Sequence, residues 1–160
     1  MGKFPYFSDV HEEIREIARG AAEEFRKTAE EADRNHDYEL IKKNLKRLAE
    51  LNLIGIHVPS EYGGEGLDLV GHFVALEEIA KGCLSTAFSF NTQRLAMDGI
   101  RLGGNEEQKK KYLTAACNGS IISFATTEPE AGSDVASMKA TAVKKDVSWV
   151  INGTKHYITN

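Results

Sequence analysis

The apolar residues of this 160-residue chain change their spacing once, at Gly119-Ser120, and that switch limits what the chain can fold into. Before it they recur at steps of three and four, the repeat of one helix face. After it, from Ile121 onward, β-branched, aromatic and small residues gather in short runs broken by turn residues. The pattern predicts an α+β chain, an all-α helical bundle over residues 1–119 followed by strands over 120–160.

The first helix is expected from Asp9 as its cap, with Glu12 completing a capping box. Val10, Ile14, Ile17, Ala21, Phe25 and Ala29 form its apolar stripe, and the polar run from Asp33 to Asp37 ends it. A second helix from Tyr38 to Leu51 buries Ile41, Leu45 and Leu48. The loop from Gly55 to Gly66, with Pro59, Gly63 and Gly64, resists regular structure and implies close packing or a bend near a site. A third helix, Asp68 to Lys81, carries Val70, Phe73, Val74, Glu77 and Ala80 at helical spacing. Ser85 caps a fourth, with Phe88, Phe90, Leu95 and Ile100, which Gly103-Gly104 stops. Asn105 and Gln108 make a capping box for a fifth that reaches Ala116. Short connections make these helices an antiparallel bundle.

Strands are expected at Ile121–Ala125, Ser137–Lys144, Ser148–Ile151 and Lys155–Thr159. Lys145-Asp146 joins the second and third, and Asn152-Gly153 has the composition of a two-residue hairpin turn. Between the first two lies Glu128-Pro129-Glu130-Ala131-Gly132-Ser133-Asp134, preceded by Thr126 and Thr127. Pro129 forces a turn, Gly132 permits close backbone approach, and the hydroxyls can donate or accept. Free N–H groups in such a turn make a concavity for an anion such as a phosphate, although the same residues also suit a solvated loop.

The order of these residues resembles the acyl-CoA dehydrogenase family of flavoproteins. The family's T-E-P-x-A-G-S-D segment matches Thr127 to Asp134, and its N-G-x-K-x-x-I-T-N segment matches Asn152 to Asn160. Gly55 to Gly66 and Gly104 to Leu113 are also similar, so the resemblance covers nearly the whole chain. It implies FAD as cofactor and α,β-dehydrogenation of an acyl-CoA thioester, with hydride passing to the flavin. The flavin carries the redox chemistry, and the protein binds and orients it. By motif, Phe124, Thr126, Thr127, Gly132, Ser133, Tyr157, Ile158 and Thr159 would line the cofactor, with Gly132 and Ser133 at its pyrophosphate. Ser133 would also touch the acyl-CoA. The resemblance places Arg94 on the helix that borders the acyl chain, where a cation would select a carboxylated or polar acyl group. Glu130 stands where the family often has Gly, and its side chain is expected to face solvent, away from the phosphates.

The family's catalytic base is a glutamate in a C-terminal domain, beyond residue 160, so no catalytic residue is assigned here. Glu77 and Glu78 are adjacent and point to different helix faces; Glu78 is expected at the surface and Glu77 against a neighbouring helix. The family's middle domain is a β-barrel about twice as long as residues 120–160. The chain is therefore expected to hold the helical domain and the first strands of an incomplete barrel, without the C-terminal helical domain, and to be inactive alone. Electron transfer flavoprotein as acceptor and a homotetramer follow from the same resemblance. The alternative is a non-catalytic flavin- or acyl-CoA-binding or interaction module on the same helical domain.

A net charge of −4 excludes a basic nucleic-acid surface, and Lys109-Lys110-Lys111 reads as a solvated helix face. No apolar run reaches the ~20 residues that span a bilayer. The N-terminus lacks the plan of a signal or transit peptide, and Met1-Gly2 is followed by Tyr6 where a myristoylation signal takes Ser or Thr. Cys83 and Cys117 are far apart and read as free buried thiols, which points to a cytoplasmic protein. No metal is expected, because His11, His36, His57, His72 and His156 lack ligand spacing and read as surface or locally bonded groups. Trp149, Phe88 and Phe90 read as core.

Overall fold

The structure is a computed structural model that describes residues 6–160. The reading of Met1-Gly2 as unlipidated, and part of that on a leader, lies outside the described residues. The chain forms two compact units, one reaching Ile122 and taking in Asn160, the other Ser123–Thr159.

The first unit holds α1 (Asp9–Asn35), α2 (Tyr38–Glu50), α3 (Leu69–Gly82), α4 (Leu84–Gly103) and α5 (Glu106–Cys117). α1 packs on α3, α3 on α4, and α4 on both α2 and α5. Ile14, Ala18, Phe25, Leu48, Ile56, Ile79, Phe90, Met97 and Leu113 meet in one core. Ends follow local chemistry, corrected by a residue or two. Ser8, not Asp9, caps α1, and its box partner is His11 rather than Glu12. Cys83, not Ser85, precedes α4. Asn105 and Gln108 do form the box that opens α5, at 2.9 Å each way.

The buried stripe of α1 is rotated from the expected one, to His11, Ile14, Ala18, Ala21, Phe25 and Ala32, leaving Val10 and Ile17 exposed. α1 and α3 approach closely where Gly82 meets Ala22, since a Cβ on Gly82 would lie 2.2 Å from the Ala22 carbonyl oxygen. On α3 the expected roles of the glutamates are reversed. Glu78 is buried and Glu77 exposed, because Glu78 meets Arg19 of α1 at 3.2 Å and Lys81 at 2.8 Å. Burial opposes ionisation of Glu78, but those two donors outweigh it and hold its carboxyl below the usual range. Phe90 is core, whereas Phe88 is 59% exposed.

The Gly55–Gly66 loop packs tightly, as its glycines implied. A Cβ on Gly64 would lie 2.1 Å from the Val58 carbonyl oxygen. Of the histidines expected at the surface or locally bonded, His57 and His72 are buried. His72 stacks on Phe90 at 4.5 Å and meets Asn91 Oδ1 at 3.3 Å. His11, also buried, is locally bonded to Ser8 and meets Asp68 at 3.0 Å.

The second unit contains β1 (Thr141–Lys145) and β2 (Ser148–Asn152), an antiparallel pair closed over Asp146 and Val147. The expected strands at both ends are not strands. From Ser120 to Ile122 the backbone bonds a side chain instead: Gln93 donates to the Ser120 carbonyl at 2.7 Å and accepts from Ile122 N–H at 3.1 Å. Val135–Ser137 is a short 3₁₀ turn, and the N–H groups of Lys139 and Ala140 go to a carboxylate, so β1 starts late. β2 ends at Asn152 and no strand follows Gly153 to make a hairpin, and Tyr157 at φ 55° breaks extension in the last segment. Trp149 lies in a strand as expected but is 62% exposed rather than core.

Candidate functional site

All eight residues expected to line a cofactor fall within the second unit, in two segments that the fold draws together. In the first, Glu128 and Ala131 exchange backbone hydrogen bonds, 2.9 Å and 3.2 Å, which closes the turn over Pro129 and Glu130. Pro129, with no N–H to satisfy, suits that turn. The second segment lies against the stretch before this turn. His156 N–H donates to the Thr127 carbonyl at 2.9 Å, and Lys155 Nζ donates to the Thr126 carbonyl at 3.0 Å.

The group that organises both is Glu128, which the sequence presents only as one member of the first motif. Its side chain is buried, and its carboxylate accepts from Lys139 N–H at 2.6 Å, Ala140 N–H at 3.1 Å and Lys155 Nζ at 2.8 Å. The Lys155 ammonium first, and then the Lys139 and Ala140 amides, hold its pKa down to about 2 against burial. Gly153 fits beside it because it lacks a side chain: at φ 151° its Cβ would lie 2.6 Å from that of Ala140. Nothing in the sequence marks a glutamate in a polar turn as buried.

Around this frame the expected residues are open to a ligand. Phe124 and Tyr157 present aromatic surface, at 42% and 84% exposure, and Tyr157 stacks on His156 with ring centres 3.9 Å apart. Thr126, Thr127, Ile158 and Thr159 are half-buried, while Gly132 and Ser133 are exposed. A Cβ on Gly132 would meet nothing within 4 Å, so packing does not require glycine there. Among the described residues, no hydrogen bond engages the N–H groups of Gly132 or Ser133. Unengaged amides, hydroxyls and apolar flats in one small unit suit a ligand with an anionic tail and a planar ring, as a flavin dinucleotide has. Glu130 is exposed.

Arg94 lies in the other unit. Its guanidinium donates to Asp98 at 2.5 Å and to Asn91 at 3.4 Å, and sits 5.8 Å from the Phe73 ring centre. Asp98 also accepts from Arg101 at 3.0 Å. No group of acidic, histidine or cysteine side chains suited to a metal occurs among the described residues.

Two family models match the chain: the acyl-CoA dehydrogenase N-terminal domain over residues 8–120 and the middle domain over residues 123–160. The mitochondrial isovaleryl-CoA dehydrogenase of Pongo abelii is 35% identical over 96% of this chain and 37% of its own length. A chain in the structure of the electron transferring flavoprotein of Acidaminococcus fermentans superposes with a TM-score of 0.90 at 34% identity, covering 99% of this chain and 41% of that one. An acyl-CoA dehydrogenase from Bacillus anthracis, solved in complex with FAD, gives a TM-score of 0.89 at 34% identity, with 97% of this chain and 27% of that one covered. The chain thus spans well under half the length of each of these proteins. With both of its segments matched and both motifs folded together, the chain belongs to the acyl-CoA dehydrogenase family.

Proposed function

We propose that this chain supplies the helical domain and the flavin-holding start of the middle domain, divided near residues 119 and 120, of an enzyme that dehydrogenates acyl-CoA thioesters. The observation that carries the proposal is the bonding of the two motif segments to each other through His156, Lys155, Thr126 and Thr127. FAD, present in the Bacillus anthracis relative, would supply the redox chemistry by accepting hydride from the substrate's β-carbon.

The chain's own residues bind and orient. Gly132 and Ser133 offer amides and a hydroxyl to the pyrophosphate, and their exposure leaves room for it. Ser133 also meets the acyl-CoA. Thr126 and Thr127 face the polar edge of the ring, while Phe124, Tyr157, Ile158 and Thr159 cover it and exclude water. Arg94 borders the acyl chain and favours a carboxylated or polar acyl group, and Arg94→Leu is expected to shift substrate preference. By the family resemblance the carboxylate that removes the α-proton belongs to the C-terminal domain, and Glu78, engaged by Arg19 and Lys81, is not free for that role. An electron transfer flavoprotein accepts the electrons, and the assembly is a homotetramer. No helix among the described residues is long and apolar enough to cross a membrane. The two buried, unbridged cysteines suit the reducing cytoplasm.

The test joins this chain to the segments that complete the family's middle and C-terminal domains and titrates FAD into the product. A yellow protein that acyl-CoA bleaches is the expected result. A colourless protein indifferent to FAD would end the proposal.

A further inference from the structure

One carboxylate links three stretches of the second unit that are far apart in sequence. Through its backbone Glu128 closes the turn over Pro129 and Glu130. Through its side chain it grips the amides of Lys139 and Ala140, where the chain enters β1. Through Lys155 it reaches the second motif, and the same ammonium returns to the Thr126 carbonyl at 3.0 Å. Lys155 therefore ties both ends of the Thr126 to Glu128 stretch, one by a carbonyl and one by a carboxylate.

We propose that Glu128 is a positioning residue that fixes the gap between the two cofactor-facing segments, acting through Lys155 and the amides of Lys139 and Ala140. The proposal rests on the flavin reading above. None of the contacts of Glu128 is to a residue expected to touch FAD, yet Ala131 directly precedes Gly132 and the others brace the segments on either side. Thr126 and Thr127 precede Glu128 directly, Lys155 is two residues from Tyr157, and Ala140 is the surface against which Gly153 seats. A carboxylate suits this place better than an amide because every partner is a donor. Charge-assisted bonds are shorter and stronger than neutral ones, so they hold a separation more tightly. A buried carboxylate held by three donors, and ionised far below neutral pH, is a poor base. Its use is geometric.

The loss of one buried charged partner weakens what depends on it by about tenfold or more. In the completed protein, Glu128→Gln keeps the shape and offers a single acceptor oxygen, leaving the Lys155 ammonium without its counter-charge. It is expected to raise the FAD dissociation constant, read by fluorescence quenching, at least tenfold. Amide exchange at Ala140 and His156 should quicken together in the same variant, before any flavin is added. Lys155→Met should reproduce the loss and Lys155→Arg, which retains the charge, should recover most of it. That graded rescue separates positioning from general destabilisation. Equal FAD affinity in wild type and Glu128→Gln would overturn this inference alone, as would unchanged exchange at His156. A wild-type protein that takes up no FAD would overturn the flavin reading and this inference with it.

Discussion

Gly132 and Gly153 serve opposite purposes although both stand in turns of the second unit. Gly153 is required by the fold, since a Cβ there would collide with Ala140 and its φ of 151° is unfavourable for other residues. Gly132 meets no such obstacle. Gly153→Ala should therefore destabilise the apoprotein measurably, whereas Gly132→Ala should leave its melting temperature within about 1 °C and weaken FAD binding instead. Thermal melts paired with FAD titrations distinguish the two. The buried histidines carry a separate expectation. Burial first, and His57 second, push the pKa of His72 down to about 3, and burial lowers that of His57. An unfolded histidine titrates near 6.5, so as pH falls below that value the unfolded chain takes up protons that the folded bundle refuses. Stability contributed by neutral His72 is full above pH ~6.5 and drains as pH falls toward ~3, approaching about 1.4 kcal/mol per pH unit. Urea midpoints at pH 7 and pH 5 check this, and His72→Phe should flatten the difference.

The helices were legible because their signals are local. Asn105 and Gln108 announced the start of α5, and Asn105→Ala should cost about 1 kcal/mol, seen as a lowered melting temperature. Which face each helix buries was less legible, because a period of 3.6 tolerates a rotation that only the neighbour decides. Hence Ile17 turned out exposed and Glu78 buried: Lys81 stands one turn from Glu78 on α3, but Arg19 of α1 is too distant in sequence for spacing to pair the two. The β segments were the least legible. Ile121 to Ala125 and Lys155 to Thr159 have the composition of strands, yet their backbone groups meet the side chain of Gln93 or isolated partners rather than a ladder. Composition reports what a strand tolerates, not whether a neighbouring strand is there to pair with it.

At the scale of the molecule the two units differ in how much they enclose. The helical unit surrounds a core that includes Phe90, Leu48 and Met97, whereas every residue of β1 and β2 is exposed. A two-stranded ribbon alone is marginally stable in water. Amide exchange should therefore be fast across Thr141–Asn152 and slow in α3 and α4, a contrast that mass spectrometry of peptic fragments resolves. That the two motif segments lie together was legible in the sequence, whereas the contact that joins them was not. Both motifs could be read as neighbours of one cofactor, but the buried tie between them depends on Glu128, whose burial no periodicity marks. Where α5 gives way to Ser120, the amide of Gln93 imitates a peptide unit, offering one donor and one acceptor in the spacing a sheet neighbour would supply. A helix side chain thereby steadies the backbone where it leaves α5. Glutamate at that position would turn the donor into a second acceptor facing the Ser120 oxygen, so an exchange of one nitrogen for one oxygen would repel the very backbone it now holds.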